Sequence, residues 1–189
     1  MAKTKQIIEN PIIGDKFKIL ISSKDSNGEL MKMDVWTKVG ANGPPEHYHP
    51  IQSETFEVFN GKLGMREEGK EMILTAGQKY TIKPNTRHTF WNAGDEELYM
   101  NVELRPALKT EFFLETIASI CISGKAKKDA MPKSLLQFAA IMHEYDGETY
   151  VTNPPLPVQK FMAKVIGGFA KLLGYKGFVP FPENYKPIK

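Results

Sequence analysis

The chain of 189 residues has one cysteine, Cys121, which excludes an internal disulfide. A reducing compartment is therefore expected, with the cytoplasm as the default location. Cys121 lies in the apolar run Ile117 to Ile122, where a small buried thiol is a packing residue rather than a nucleophile. Arginine is scarce, with only Arg66, Arg87 and Arg105. Nucleic-acid binders cluster arginine with aromatic residues, so nucleic acid is not an expected partner. No uncharged apolar run reaches about 18 residues, the length at which a membrane span is suspected. Residues 1–10 carry lysines but no apolar stretch of signal-peptide length. No membrane partner is expected. Internal repeats and low-complexity segments are also absent.

What is present suits one domain, or one domain with an appendage. Hydrophobic residues make up 41% of the chain, enough for a sizeable core. The net charge of +3 is unevenly placed: residues 150–189 hold six lysines against one acid, Glu183, leaving the remainder at −2.

Residues 12–22 and 30–39 alternate in the manner of strands, joined by a turn at Asp25-Ser-Asn-Gly28. Met31, Met33, Val35, Thr37 and Val39 share one face, and Lys32, Asp34, Trp36 and Lys38 the other. A Gly- and Pro-rich loop over 40–45 follows. Short strands are then expected over 55–59, 62–66, 71–75, 79–82, 89–91 and 97–105, separated by turn signals such as Asn60-Gly61. This pattern predicts a β-sandwich or small barrel.

The composition changes after Pro106. Thr110 is a candidate cap for a helix to about Ile122, with Phe113, Ile117, Ile120 and Cys121 on one side. A second helix starts at Lys133 or Ser134, with Leu135, Phe138, Ala139 and Met142 on one stripe. A third, from Pro157 to about Leu173, carries Phe161, Val165, Phe169 and Leu172 at helical spacing. That stripe is expected to pack on its own domain or a partner subunit, and Gly167-Gly168 permits a close approach. Its lysines 160, 164 and 171 allow a membrane-surface reading, which is the weaker one. Residues 177–189 are expected to run extended across a surface.

Three of the four histidines fall in two short segments: His47-Tyr48-His49, then Glu54, and later His88. On a strand, His47 and His49 aim at one space while Tyr48 points away. Glu54 follows a turn at Pro50, and His88 comes from a neighbouring hairpin. Three neutral imidazoles and a carboxylate suit one divalent transition metal such as Fe, Mn, Ni, Cu or Zn. His143 has no motif around it and is read as a surface or interfacial residue.

The first segment reads His47-Tyr-His49, four residues, Glu54, six residues, Gly61. The second reads Gly77, five residues, Lys83-Pro84-Asn85-Thr-Arg-His88, three residues, Asn92. Together these resemble the two signature motifs of the cupin superfamily over roughly residues 30–105. Ala41 stands where the first motif usually opens on glycine; Lys83 and Asn85 replace the usual proline and glycine of the second. Asn tolerates the left-handed conformation that a turn glycine supplies. The resemblance implies a mainly β fold, a cupin-type double-stranded jelly-roll barrel, assigned to residues 1–106; the three amphipathic helical runs are expected to form an extension over 107–189 packed on it. The resemblance also implies that His47, His49, Glu54 and His88 are the metal ligands.

Parity places Phe56, Val58, Phe90 and Asn92 inward with the ligands, faced by Met33 and Val35. Met33, Val35, Phe56, Phe90 and Asn92 are accordingly the candidate substrate-binding residues. An aromatic, apolar lining suits a small organic ligand better than a sugar phosphate. The resembled family includes dioxygenases, isomerases and epimerases, and non-catalytic binders. The first expectation is a dioxygenase-type oxidoreductase. The alternatives are a small-ligand binding or sensing protein, and a metal-dependent isomerase or epimerase. A homodimer is expected from Trp36 on an outward strand face and from Phe178 and Phe181 in the tail.

Overall fold

Alternation along the strands builds the inside of the molecule. In the computed structural model, which describes residues 4–5, 7–41, 43–182 and 185, Met31, Met33, Val35 and Thr37 are buried while Lys32, Asp34 and Trp36 face outward. The same period buries Asp15, Phe17 and Ile19, then Glu54, Phe56 and Val58, then His88, Phe90 and Asn92.

Eleven strands result: β1 (Ile7–Asn10), β2 (Asp15–Ile21), β3 (Met31–Thr37), β4 (His47–Tyr48), β5 (Ser53–Asn60), β6 (Lys62–Glu67), β7 (Lys70–Thr75), β8 (Lys79–Ile82), β9 (His88–Asn92), β10 (Leu98–Arg105) and β11 (Tyr150–Val151). They form a six-stranded sheet in the order β1-β2-β3-β10-β5-β8 and a five-stranded sheet in the order β11-β4-β9-β6-β7. All named pairings are antiparallel, and the two sheets make a jelly roll. One apolar cluster, including Phe17, Ile19, Met33, Phe56, Leu63 and Met100, draws on both sheets.

The first strand run differs from expectation. Ile12 and Ile13 are not in a strand, because Asn10 Oδ1 accepts hydrogen bonds from both their N–H groups and turns the chain between β1 and β2. Strand β3 stops at Thr37, and Val39 is exposed. Strand β11 was not expected at all: two residues carry no periodicity, and only β4 as a partner makes them a strand.

The helices are α1 (Thr110–Ile122), α2 (Leu135–Glu144), α3 (Leu156–Phe161), a π-helical segment (Met162–Gly167) and α4 (Gly168–Leu172). Lys109, not Thr110, occupies the cap position of α1; the Thr110 hydroxyl instead accepts from Gln52 Nε2 at 2.9 Å. Ser134 caps α2 by accepting from the Gln137 N–H. A second apolar cluster joins α1, α2 and the turn after β1 through Ile12, Ile13, Phe113, Ile120 and Ile141. No helix among the described residues is long and apolar enough to cross a membrane.

From Leu156 to Leu172 the helical run turns the opposite side inward from the one expected. Gln159, Ala163, Gly167 and Ala170 are buried, whereas Phe161, Val165, Phe169 and Leu172 are 57%, 55%, 56% and 86% exposed. Small residues win this face because they let the backbone come close to α2. A Cβ on Gly167 would collide with the Ala139 carbonyl oxygen, while Gly168 has open space around it. The tail residues are not free either. Phe178 packs edge-on against Phe112, and Phe181 lies against the barrel core. Lys186 and Lys189 lie outside the described residues.

Candidate metal centre

Three local devices bring the ligand set together. Gly43 lets the incoming loop run against β9, since a Cβ there would collide with the Phe90 carbonyl oxygen. Strand β4 then pairs with β9 at a single register point, His47 opposite His88. Asn85 supplies the left-handed turn residue before β9, with φ of 62°, and its N–H bonds the His49 carbonyl at 2.8 Å.

His47, His49, Glu54 and His88 are all buried, and one ligand atom from each lies within 4.8 Å of the others. Ligand atoms about 2.1 Å from one ion span at most about 4.2 Å, so the set is a small side-chain adjustment from a metal shell. Each ring is oriented through Nδ1. His47 Nδ1 meets the Pro45 carbonyl at 2.9 Å, and His88 Nδ1 meets the Thr86 carbonyl at 2.9 Å. His49 Nδ1 meets Thr149 Oγ1 at 2.8 Å and the Glu148 carbonyl at 3.2 Å. A protonated Nδ1 on each ring leaves Nε2 with its lone pair for an ion. His88 Nε2 stands 3.0 Å and His49 Nε2 3.5 Å from Glu54 Oε2.

Electrostatics treat the rings differently: His47 is held neutral, as a ligand must be, whereas Glu54 favours the proton on His88 that an ion would have to displace. Burial, reinforced by His88 and His49, lowers the His47 pKa to about 3, so its imidazole is neutral. Burial alone would raise Glu54, but hydrogen bonds with His49 and His88 outweigh it and hold the carboxyl well below the usual range. Burial alone would lower His88, but Glu54 outweighs it and the pKa rises. His143 lies apart, its Nδ1 bonding the Ala163 carbonyl at 2.9 Å.

The centre opens on a cavity of about 260 Å³ between the barrel and the helices. Of the candidate substrate-binding residues, Met33 and Phe90 line it with His47, His49 and Glu54. Val35, Phe56 and Asn92 are buried but are not among the lining residues. Phe56 fills the core beside Phe90, their rings 5.1 Å apart. Asn92 is spent on backbone: its Nδ2 donates to the Thr37 and Glu96 carbonyls, and its Oδ1 accepts from the Gly94 N–H. Residue parity predicts burial but not which buried side chains border empty space.

Much of the wall comes from beyond residue 106, including Phe113, Ile117, Met142, Tyr145, Thr149 and Tyr150. Only the β-branched and aromatic run Thr149-Tyr150-Val151 after Gly147 could have hinted at this segment. The Tyr150 hydroxyl donates to Asp146 at 2.6 Å, and burial first, then Asp146, pushes its pKa up to about 12. No lysine or arginine among the described residues lines the cavity.

Asp15 also lines it, 2% exposed. Burial raises its pKa from 3.8 to about 7, with Thr37 pulling weakly the other way. The folded pKa exceeds the unfolded one, so the protein loses stability as pH rises from about 4 to about 7. The loss is at most about 4 kcal/mol. Asp15→Asn lacks it, and the variant's advantage in urea midpoint should be larger at pH 8 than at pH 4. An advantage independent of pH contradicts the raised pKa.

A cupin-domain family model matches residues 35–103, which contain all four ligand candidates. A probable oxidoreductase, virH, of Hypocrea virens is 34% identical over 151 residues, 74% of this chain and 67% of that protein. The chain belongs to the cupin superfamily. This cupin is also 29% identical to the epoxidase atD of Aspergillus terreus, over 72% of its own length and 46% of atD. It is 41% identical to the polyketide synthase CurC of Streptomyces cyaneus over 61 residues, 32% of this chain and 40% of CurC. The chain thus spans less than half of these last two proteins. Among solved structures, an RmlC-like cupin from Shewanella frigidimarina aligns at 24% identity and a TM-score of 0.48, over 59% of this chain and 93% of that one.

Proposed function

We propose that this cupin is a metal-dependent oxidoreductase of the dioxygenase type, acting on a small, largely apolar organic substrate. The observation that carries the reading is a set of four buried metal-ligand candidates at the end of an apolar cavity with no cationic lining. Relatives named as oxidoreductases support it. A metal held by His47, His49, Glu54 and His88 supplies Lewis acidity and, if redox-active, electrons to activate dioxygen.

The chain's own residues do the rest. The barrel and helices exclude water from the reacting end. Met33 and Phe90 hold apolar surface of the substrate against the ligand set. Tyr150 stays a protonated hydroxyl held by Asp146. A dioxygenase places both atoms of O₂ in its product, so the reaction needs no separate reductant.

The test is oxygen uptake by the metal-loaded protein with a panel of neutral apolar ketones and phenols, followed by labelling with ¹⁸O₂. The expected result is uptake matched to substrate loss, with two labelled oxygens incorporated per substrate consumed. Conversion without oxygen points to an isomerase, and binding without conversion to a sensing or sequestering protein; either overturns the dioxygenase reading.

A homodimer is the second part of the proposal. Trp36, the expected contact residue, stacks on Tyr99 at 5.1 Å and lies under the Lys16 ammonium, which leaves less of it to cover. The exposed stripe Phe161, Val165, Phe169 and Leu172 is the candidate, as a second copy would bury it. Light scattering at micromolar concentration should report a dimer, and Phe169→Asp a monomer. A monomeric wild type that pellets with anionic lipid vesicles would assign the stripe and its flanking lysines to a membrane surface instead.

A further inference from the structure

The cavity has a polar group far from the His–Glu end. Asp15 on β2 lies opposite Thr37 on β3, which lies opposite Leu98 on β10; Glu54 lies opposite Leu104 on the same strand. Six residues of β10 correspond to about 20 Å at a strand rise of roughly 3.4 Å. Both carboxyl groups nevertheless line one cavity. Phe17, Met33, Phe113 and Ile117 line the same cavity.

Asp15 Oδ1 and Thr37 Oγ1 beside it make no well-formed hydrogen bond among the described residues, although the Thr37 side chain is near enough to oppose the rise in the Asp15 pKa. A buried polar group without a partner costs stability, and proteins rarely keep one without use. Contrast Asn10, another lining residue, whose Oδ1 is occupied by two backbone N–H groups. Asp15 is therefore the lining group with hydrogen-bonding capacity to spare at that end.

We propose that Asp15 recognises the distal end of an elongated, uncharged, mainly apolar ligand, donating its carboxylic proton to a carbonyl, ether or hydroxyl oxygen while the ligand's other end reaches the His–Glu cluster. The lack of lysine or arginine among the described lining residues argues against phosphate or carboxylate at either end. Burial among apolar walls disfavours the two charges that an ammonium paired with Asp15 would bring. The inference rests on the reading of the His–Glu cluster as the reacting end, and it adds a second anchor that selects ligand length and polarity.

The probes are dodecane-2,11-dione, dodecan-2-one and dodecylamine, titrated calorimetrically into wild type, Asp15→Asn and Asp15→Leu, with metal content measured on the same samples. One added hydrogen bond should make the dione bind about 5–10-fold tighter than the monoketone to wild type. Asp15→Asn, which still donates an N–H, should keep most of that preference. Asp15→Leu should erase it while leaving metal content unchanged, and should melt at a higher temperature than wild type because the unpartnered carboxyl is gone. A preference that survives Asp15→Leu, amine binding stronger than ketone binding, or no binding of any probe overturns the proposal. If the preference follows Asp15 but no sample holds metal, the metal reading fails and the assignment of Asp15 stands.

Discussion

His47→Ala will purify with metal at background level while remaining folded. His47 is the cleanest ligand to remove. It is neutral and has no ion pair with Glu54, so its loss does not strand a buried charge. Losing even an outer partner of a ligand costs about 10–100-fold in metal affinity, and losing a ligand should cost more. The fold should survive because the barrel has its own apolar cluster from both sheets. His88→Ala should lose metal equally but also unfold at a lower temperature: it removes a fully buried ring and leaves Glu54 without its nearest partner at 3.0 Å. The measurement is elemental analysis for iron, manganese, nickel, copper and zinc, beside circular dichroism. Equal metal content in wild type and both variants would sink the ligand assignment.

Thr149→Val should weaken metal binding about 10–100-fold without touching a ligand. The Thr149 hydroxyl sits 2.8 Å from His49 Nδ1, 100 residues away in sequence; by accepting the Nδ1 proton it would leave Nε2 free for an ion. Valine keeps the shape and removes the oxygen. Thr149→Ser should restore most of the affinity, which a merely structural defect would not allow. Competition against a coloured chelator reads the affinity. If valine and threonine proteins bind metal alike, the Glu148 carbonyl at 3.2 Å suffices and Thr149 is not a positioning residue. A chain ending at Ala107 lacks Thr149, β11 and most of the cavity wall, and is expected to lose both metal affinity and solubility. Solubility and metal affinity equal to the full chain would make the segment a separate module.

The cupin motifs were legible because their information is local. A period of two puts His47 and His49 on one face and does the same for Glu54, Phe56 and Val58. Turn residues such as Asn85 mark where each hairpin reverses, independently of what packs above it. The jelly-roll class, the grouping of His47, His49, Glu54 and His88 and the positions of the three helical runs could therefore be read without coordinates.

What the sequence could not determine depends on which surfaces meet. A helical stripe looks apolar whether or not it is covered, and Gly167 against Ala139 decided that the small-residue face went inward and Phe169 outward. Burial follows from parity, but bordering a cavity depends on the neighbours, so Met33 and Phe90 line it while Val35 and Phe56 do not. Strand β11 exists only because β4 lies beside it, and its pairing carries the Thr149 hydroxyl to His49. Asp15 reads from sequence as the end of a strand. Only the closure of the helices over the open side of the barrel makes it a buried carboxyl facing the same space as the His–Glu cluster. Local offsets set the ligand types; long-range packing set their partners, their access and the shape of what they can bind.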